Sequence, residues 1–266
     1  MRRLRIAVLT LESTASAEAA ARVVRESRHD VVFIGLSDPY RGGLARTRAM
    51  VVRSGPRILP WMVVEFAAPR LLRARPGGPL MDAARARGVA PVALGDVNGE
   101  SARAMVAQAR PDVIVTCHFD QILVPEVIAI APCGGVNLHP SLLPRHRGPM
   151  PCFWAAAEGG AAYGVSIHRL AARIDAGALL AQRAAAPPAG ASVSAAARML
   201  HQVGAAMLVE VLDAMAQGSE RGRDLPLLPY CPFPDRSALA DAARRGVRLT
   251  DAADLRAARA LGGVAR

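Results

Sequence analysis

The chain has 266 residues, enough to bury a substantial core in one domain with a short extension. Hydrophobic residues make up 52%, which excludes a disordered chain, and they are nowhere gathered into the run of about eighteen that a membrane span needs. The formal net charge of +11 rests on arginine alone, lysine being absent, and aromatic residues, only 4%, do not interleave with the arginines; this chain-wide bias is not the local basic, stacking surface of a nucleic-acid binder.

The opening Met-Arg-Arg-Leu-Arg runs straight into a strand pattern, with no signal-peptide core or small-residue cleavage site, so the expected location is cytoplasmic. Residues 4–10 form an apolar run suited to a buried parallel strand. Residues 18–28 read as an alanine- and arginine-rich helix, and 30–36 as a second buried strand. This β-α-β order predicts a doubly wound, mostly parallel sheet of Rossmann-like type. Residues 38–91 are too long for a simple connection and predict an inserted helical element beside a cleft. They carry Arg41, Arg46, Arg48, Arg53 and Arg57 and an apolar stretch over 58–72. Two readings stay open for them: a solvated helix pair, or an arginine surface that meets a phosphorylated substrate.

Further on, 100–109 reads as a helix, 112–116 as a strand closed by Cys-His-Phe-Asp, 124–131 as a short helix and 134–138 as a strand. None of Cys117, Cys133, Cys152 and Cys231 forms a Cys-x-x-Cys pair, so no zinc site is expected and free thiols are the default. Cys117 and Cys133, at strand ends, read as small core hydrophobes.

The strand over 134–138 runs into Val-Asn-Leu-His-Pro-Ser-Leu-Leu-Pro-Arg-His-Arg-Gly-Pro-Met-Pro at 136–151. Asn137 and His139 stand two residues apart, so both point to one side of an extended segment. Pro140 and Pro144 forbid its continuation as a helix or central strand. The pair is thus presented at the carboxyl end of a strand, where an open α/β sheet binds its ligands. Residues 163–170 then read as a strand with Val165 and Ile167 apolar, and Asp175 precedes a turn at Gly177. Residues 192–215 carry Met199, Val203, Met207, Val211 and Met215 at helical spacing, which predicts a core-facing helix. The tail from 218 is proline-rich to Pro234 and helical from Ser237, which divides the chain into 1–217 and a C-terminal helical extension over 218–266.

Asn-x-His-x-Ser-Leu-Leu-Pro-x-x-Arg-Gly followed by Asp-x-Gly resembles the folate-dependent formyltransferases, whose branches act on methionyl-tRNA, glycinamide ribonucleotide and nucleotide sugars. The separation of Asn137 from Asp175 matches that family too. The resemblance implies a formyltransferase fold over 1–217, 10-formyltetrahydrofolate as co-substrate and no metal. It implies Asn137, His139 and Asp175 as the catalytic residues. It places the folate against the loop Phe119-Asp-Gln121-Ile122-Leu123 and against the loop from Leu170 to Ile174. Arg147-Gly148 is similar to the tRNA and sugar branches rather than the purine branch.

These residue types suit the chemistry. Formyl transfer to an amine passes through a tetrahedral oxyanion, which needs aimed donors; Asn137 can donate through its amide, and a protonated His139 with charge assistance. A carboxylate such as Asp175 can take and return the protons and favours the imidazolium of His139. Ser141 lacks the glycine elbow of a nucleophile, and His146 and His168 read as ordinary loop and strand histidines. The expected acceptor is a small-molecule amine, free or phosphorylated, ranked above tRNA because some fifty residues of tail do not build the C-terminal barrel of the methionyl-tRNA branch. A short methionyl-tRNA formyltransferase and a formyltetrahydrofolate hydrolase are the alternatives; the hydrolase is ranked low because its usual N-terminal regulatory domain is not seen. No membrane partner is expected, and the oligomeric state stays open.

Overall fold

The computed structural model describes residues 2–39, 43–72, 77–159 and 163–261, apart from the side chains of 44 and 46. The chain begins with β1 (Arg5–Leu11), α1 (Ala17–Glu26) and β2 (Asp30–Ser37). The inserted region follows as α2 (Gly43–Ser54), a 3₁₀ turn (Pro56–Ile58), α3 (Leu59–Met62), a π-turn (Val63–Ala67), α4 (Ala68–Leu71) and α5 (Pro79–Ala86). Then come β3 (Val92–Leu94), α6 (Glu100–Ala109), β4 (Val113–Cys117), α7 (Pro125–Ile128), β5 (Gly135–His139) and α8 (Pro151–Ala157). The chain closes with β6 (Gly164–Arg169), β7 (Leu179–Ala184), α9 (Val193–Gln217), α10 (Arg236–Arg244) and α11 (Ala252–Ala260).

One seven-stranded sheet has the order β3-β2-β1-β4-β5-β6-β7. The strands from β3 to β5 are parallel, while β6 and β7 each pair antiparallel with their neighbours. The continuous apolar runs are those of strands covered on both faces. In β1, Ile6 and Val8 point into the core beneath α1, α5 and α9, whereas Ala7 and Leu9 point into a second core with Ala102 and Val106 of α6 and Val127 of α7.

The 25-residue helix α9 is capped by Ser192, whose side chain accepts from Ala195 N, and ends at Gly218 in the left-handed region. Its length and composition would allow it to cross a membrane, but Leu200, Leu208 and Leu212 are fully buried against the sheet. A side chain at Gly204 would meet Leu138 at 2.7 Å, so glycine sets how closely α9 approaches β5.

Two elements differ from the sequence expectation. The helix expected over 124–131 is a single turn, α7, after which the chain bends through Gly134 at φ 68° into β5. The short edge strand β3 has three residues, too few to carry a recognisable period. In the insertion, the apolar stretch 58–72 is broken into short helical pieces around Pro60 and Pro69. The extension does not stand apart. Arg223 pairs with Leu179 beside β7, Trp154 donates to Pro232 O at 2.9 Å, and Asp254 of α11 is buried against Ser192 and Arg198 at the start of α9.

Candidate active site

The site grows from the carboxyl ends of three adjacent strands. Register places Thr116 of β4 and His168 of β6 on either side of Asn137 of β5. Thr116 Oγ1 donates to Asn137 Oδ1 at 2.7 Å. On the other side Asn137 Nδ2 lies 3.0 Å from His168 Nε2. His168 Nδ1 faces the Arg169 carbonyl at 2.8 Å; a carbonyl only accepts, so Nδ1 carries the hydrogen and Nε2 the lone pair. The amide of Asn137 is thereby held from both ends in one orientation. Its second N–H is turned toward Asp175 Oδ1, 3.4 Å away.

Asp175 arrives on the turn between β6 and β7. Gly177 is required there, because a Cβ would lie 1.9 Å from the Arg169 carbonyl oxygen. Asp175 itself is left-handed at φ 48°. Its Oδ2 accepts from Gly148 N at 2.8 Å and lies 3.6 Å from His139 Nδ1, while Oδ1 is 3.5 Å from His168 Nε2. His139, 4% exposed, turns Nε2 to the His146 carbonyl at 3.1 Å, so this nitrogen carries the hydrogen. In the neutral ring Nδ1 therefore holds the lone pair that faces the carboxylate.

Burial works against the charge of Asp175 and the Gly148 N–H favours it; a proton on the neighbouring imidazole of His139 or His168 would favour it further. Burial pushes the His139 imidazole below its ordinary value, and Asp175 opposes this without overcoming it. The resting pair is a carboxylate beside a neutral imidazole. The expectation of a standing imidazolium is corrected: desolvation of the nearly enclosed ring wins over one carboxylate at 3.6 Å.

A cleft of about 360 Å³ runs past these groups. One end is lined by Phe119, Gln121, Ile122, Leu123, Leu170 and Ile174, all expected from the sequence. Their side chains are not equivalent. Ile122 is exposed, Leu123 is buried in the core, and Gln121 spends its amide on Val97 N, Ser37 Oγ and Gly95 O, so it braces its loop. The other end is lined by Trp61, Glu65, His118, Phe153, Val193 and His201.

Several cleft residues were not expected. His168, read as an ordinary strand histidine, touches both Asn137 and Asp175; its position opposite Asn137 is a matter of strand register, which local pattern does not reveal. Tyr230 and Phe233 of the extension line the cleft as well. Arg147, 7% exposed, donates to Ile174 O at 3.0 Å and to Leu228 O at 2.7 Å, tying the Asp175 turn to the extension. The insertion arginines do not line the cleft among the described residues: Arg53 donates to Phe233 O, Arg57 is exposed, and Arg41 and the Arg46 side chain lie outside what is described. Among the described residues no cluster of His, Cys, Asp and Glu is arranged to hold a metal ion.

Residues 70–212, more than half of the chain, match the family model described as formyl transferase. The chain belongs to the formyl transferase family. It is 46% identical over 119 residues to a methionyl-tRNA formyltransferase of Roseiflexus castenholzii, covering 45% of this chain and 38% of that protein. It is 41% identical over 147 residues to another from Roseiflexus sp., covering 55% and 45%. The matched part thus spans less than half the length of these relatives. Among solved structures, glycinamide ribonucleotide transformylase 1 from Symbiobacterium toebii superposes with TM-score 0.57 at 19% identity, over 84% of this chain and 95% of that one. A sugar N-formyltransferase from a Shewanella species gives TM-score 0.53 at 14% identity, over 86% and 76%. The fold of this formyl transferase is accordingly the α/β, mostly parallel fold expected from its sequence.

Proposed function

We propose that this chain transfers a formyl group from 10-formyltetrahydrofolate to the amine of an acceptor, with Asn137, His139 and Asp175 as its catalytic residues. The observation that carries this reading is the fixed amide of Asn137. Thr116 and His168 hold its NH₂ group toward the cleft, beside the lone pair of His139 Nδ1 and the carboxylate of Asp175. Membership of the formyl transferase family supports formyl transfer as the reaction.

In this reading the slot bounded by Phe119, Ile122, Leu123, Leu170 and Ile174 holds the flat ring of the folate, which brings the formyl group. Apolar walls suit such a ring. The Asn137 N–H turned toward Asp175 Oδ1 at 3.4 Å, the longer of its two contacts, changes partner and donates to the oxygen that becomes negative in the tetrahedral intermediate. The acceptor amine gives up a proton to His139 Nδ1, and Asp175, ionised and 3.6 Å away, stabilises the imidazolium that forms. The imidazolium then returns the proton to the departing nitrogen. His139 is thus charged during turnover rather than at rest. No step in this scheme calls for a metal. The division of the chain at 217 carries over as part of the proposal, with the extension contributing Tyr230 and Phe233 to the cleft wall.

The acceptor is proposed to be a small-molecule amine; a cleft of about 360 Å³ whose described lining holds Arg173 but none of the insertion arginines supports this. The expectation that ranked methionyl-tRNA lower gains nothing from the relatives, since both are methionyl-tRNA formyltransferases, and that acceptor stands as the second reading. Tetrahydrofolate release is followed with a panel of amines, with initiator methionyl-tRNA, and with no acceptor. Turnover with a small amine supports the first reading. Efficient formylation of methionyl-tRNA, with binding that falls steeply with salt as phosphate contacts require, promotes the second. Equal release without acceptor means hydrolysis and ends the transferase reading.

A further inference from the structure

We propose that His146 and Glu158 position the catalytic His139 from outside the cleft, and that this pair fixes which nitrogen of His139 carries the hydrogen. This deepens the formyl-transfer reading and rests on it only for the catalytic role of His139.

The loop from β5 to α8 turns at His146, which is left-handed at φ 54°. A β-carbon makes that conformation costly, so a residue other than glycine keeps it only where its surroundings hold it. The side chain supplies one hold. His146 is 3% exposed, and its Nε2 lies 2.9 Å from Oε2 of Glu158. A carboxylate only accepts, so Nε2 carries the hydrogen whatever the charge of the ring. Glu158 sits at the carboxyl end of α8, where its N–H donates to Trp154 O at 3.0 Å. A negative charge at that end opposes the helix dipole, so the helix itself gives no reason for an acid there. The other nitrogen of the ring, Nδ1, is buried with no hydrogen-bond partner among the described residues. An unpaired buried nitrogen costs stability, which marks the ring as held for another purpose.

That purpose lies in the backbone. His146 O accepts from Nε2 of His139 at 3.1 Å, which leaves the Nδ1 lone pair of His139 facing Asp175 at 3.6 Å. A carboxylate beside a neutral imidazole favours the opposite tautomer, with the hydrogen on Nδ1 and donated to the carboxylate. The carbonyl of His146 is what opposes it. Two residues on, Gly148 N donates to Asp175 Oδ2 at 2.8 Å, so residues 146–148 hold both members of the His139–Asp175 pair. The extension braces this segment further along: Arg147 O accepts from Cys231 N at 2.7 Å, and a Cβ at Gly148 would lie 2.1 Å from Cys231 O. Glu158 braces it at 146. Without that brace the left-handed φ relaxes and the carbonyl turns away from His139. The hydrogen of His139 then moves to Nδ1, the nitrogen that takes the proton of the acceptor amine. His146 and Glu158 are positioning residues.

The test joins NMR of the histidine ring nitrogens to steady-state kinetics. In the wild type the hydrogen of His139 is expected on Nε2. Glu158→Ala should move it measurably toward Nδ1 and lower kcat about 10-fold with the KM for folate little changed, as a slightly misplaced catalytic group does. Glu158→Gln keeps an accepting oxygen for His146 and should recover most of the loss. His146→Asn tolerates the left-handed backbone but drops the tether, so it should match Glu158→Ala. The double variant should be no worse than either single one, because both break the same link. The Glu158 side chain is 56% exposed, so its variants are expected to fold. A His139 hydrogen that stays on Nε2 in Glu158→Ala, a kcat equal to that of the wild type, or additive losses in the double variant overturns the inference. A hydrogen that moves as expected in a protein that formylates no acceptor would uphold the coupling and overturn the formyl-transfer reading.

Discussion

Asn137 of β5 and His168 of β6 are direct cross-strand partners, and the imidazole lone pair receives an amide hydrogen across 3.0 Å. Together with Thr116 on the opposite side, this contact decides which end of the Asn137 amide meets the cleft. His168 is therefore a positioning residue. His168→Ala is expected to lower kcat about 10-fold, with the KM for folate little changed, because the amide loses its second anchor while its first remains. His168→Gln, which can still accept from Asn137, should recover part of the loss. A drop in folate affinity in place of kcat would assign His168 to binding.

Removing the groups that face the reacting atoms should cost more. Asn137→Ala, His139→Ala and Asp175→Ala are each expected to reduce turnover by at least about 10²-fold, the scale for losing an oxyanion donor or an acid–base group. Folate affinity measured by equilibrium binding should stay near that of the wild type. Unimpaired turnover in any of the three would remove that residue from the mechanism.

The histidine protonation states can be read directly. Burial lowers the pKa of His118 to about 3 and of His201 to about 4, and it lowers His139 below the ordinary imidazole value. A lowered pKa means that the neutral ring persists as pH falls, so at neutral pH all three are uncharged. An NMR titration resolved by residue should find all three midpoints below about 6.5. A His139 midpoint at or above that value would restore the resting imidazolium.

Glu65 couples stability to pH. Burial raises its pKa from 4.5 to about 7, against the opposing hydrogen bonds from Ser194 and Ala15. The fold therefore favours the protonated form. Its contribution is full below pH 4.5, declines as pH rises toward about 7, and stays lost above it. The group alone accounts for up to about 3 kcal/mol over that window. Urea denaturation at pH 5 and pH 8 should show wild-type stability falling relative to that of Glu65→Gln. Parallel behaviour of the two proteins would mean that Glu65 is already ionised at pH 5.

Arg147 joins the Asp175 turn to the extension through the carbonyls of Ile174 and Leu228. A lysine has one charged nitrogen and cannot reproduce the guanidinium fork. Arg147→Lys is expected to cost about 1–3 kcal/mol of stability and to lower kcat as the Asp175 turn loosens. Denaturant unfolding and kinetics on the same preparation check both. A destabilised variant with unchanged kcat would show that the extension holds the fold but not the turn.

The sequence by itself determined the elements whose signals are local. The alternation of Ile6 and Val8 with Ala7 and Leu9 specifies a strand buried on both faces. Pro140 and Pro144 end β5 where Asn137 and His139 are presented. Ser192 and Gly218 bound α9. The motif also brought Asn137, His139 and Asp175 into view together, because each lies on a strand end or turn that its neighbours dictate. Tertiary structure decided the rest. His168 joins the site through antiparallel register, Tyr230 and Phe233 through the return of the extension, and Glu65 reaches Ser194 across 129 positions of chain. Neither the orientation of the Asn137 amide nor the neutrality of His139 is written in any short segment. Both follow from which distant groups pack around a side chain and exclude water from it, and a period of 2.0 or 3.6 residues carries no information about that.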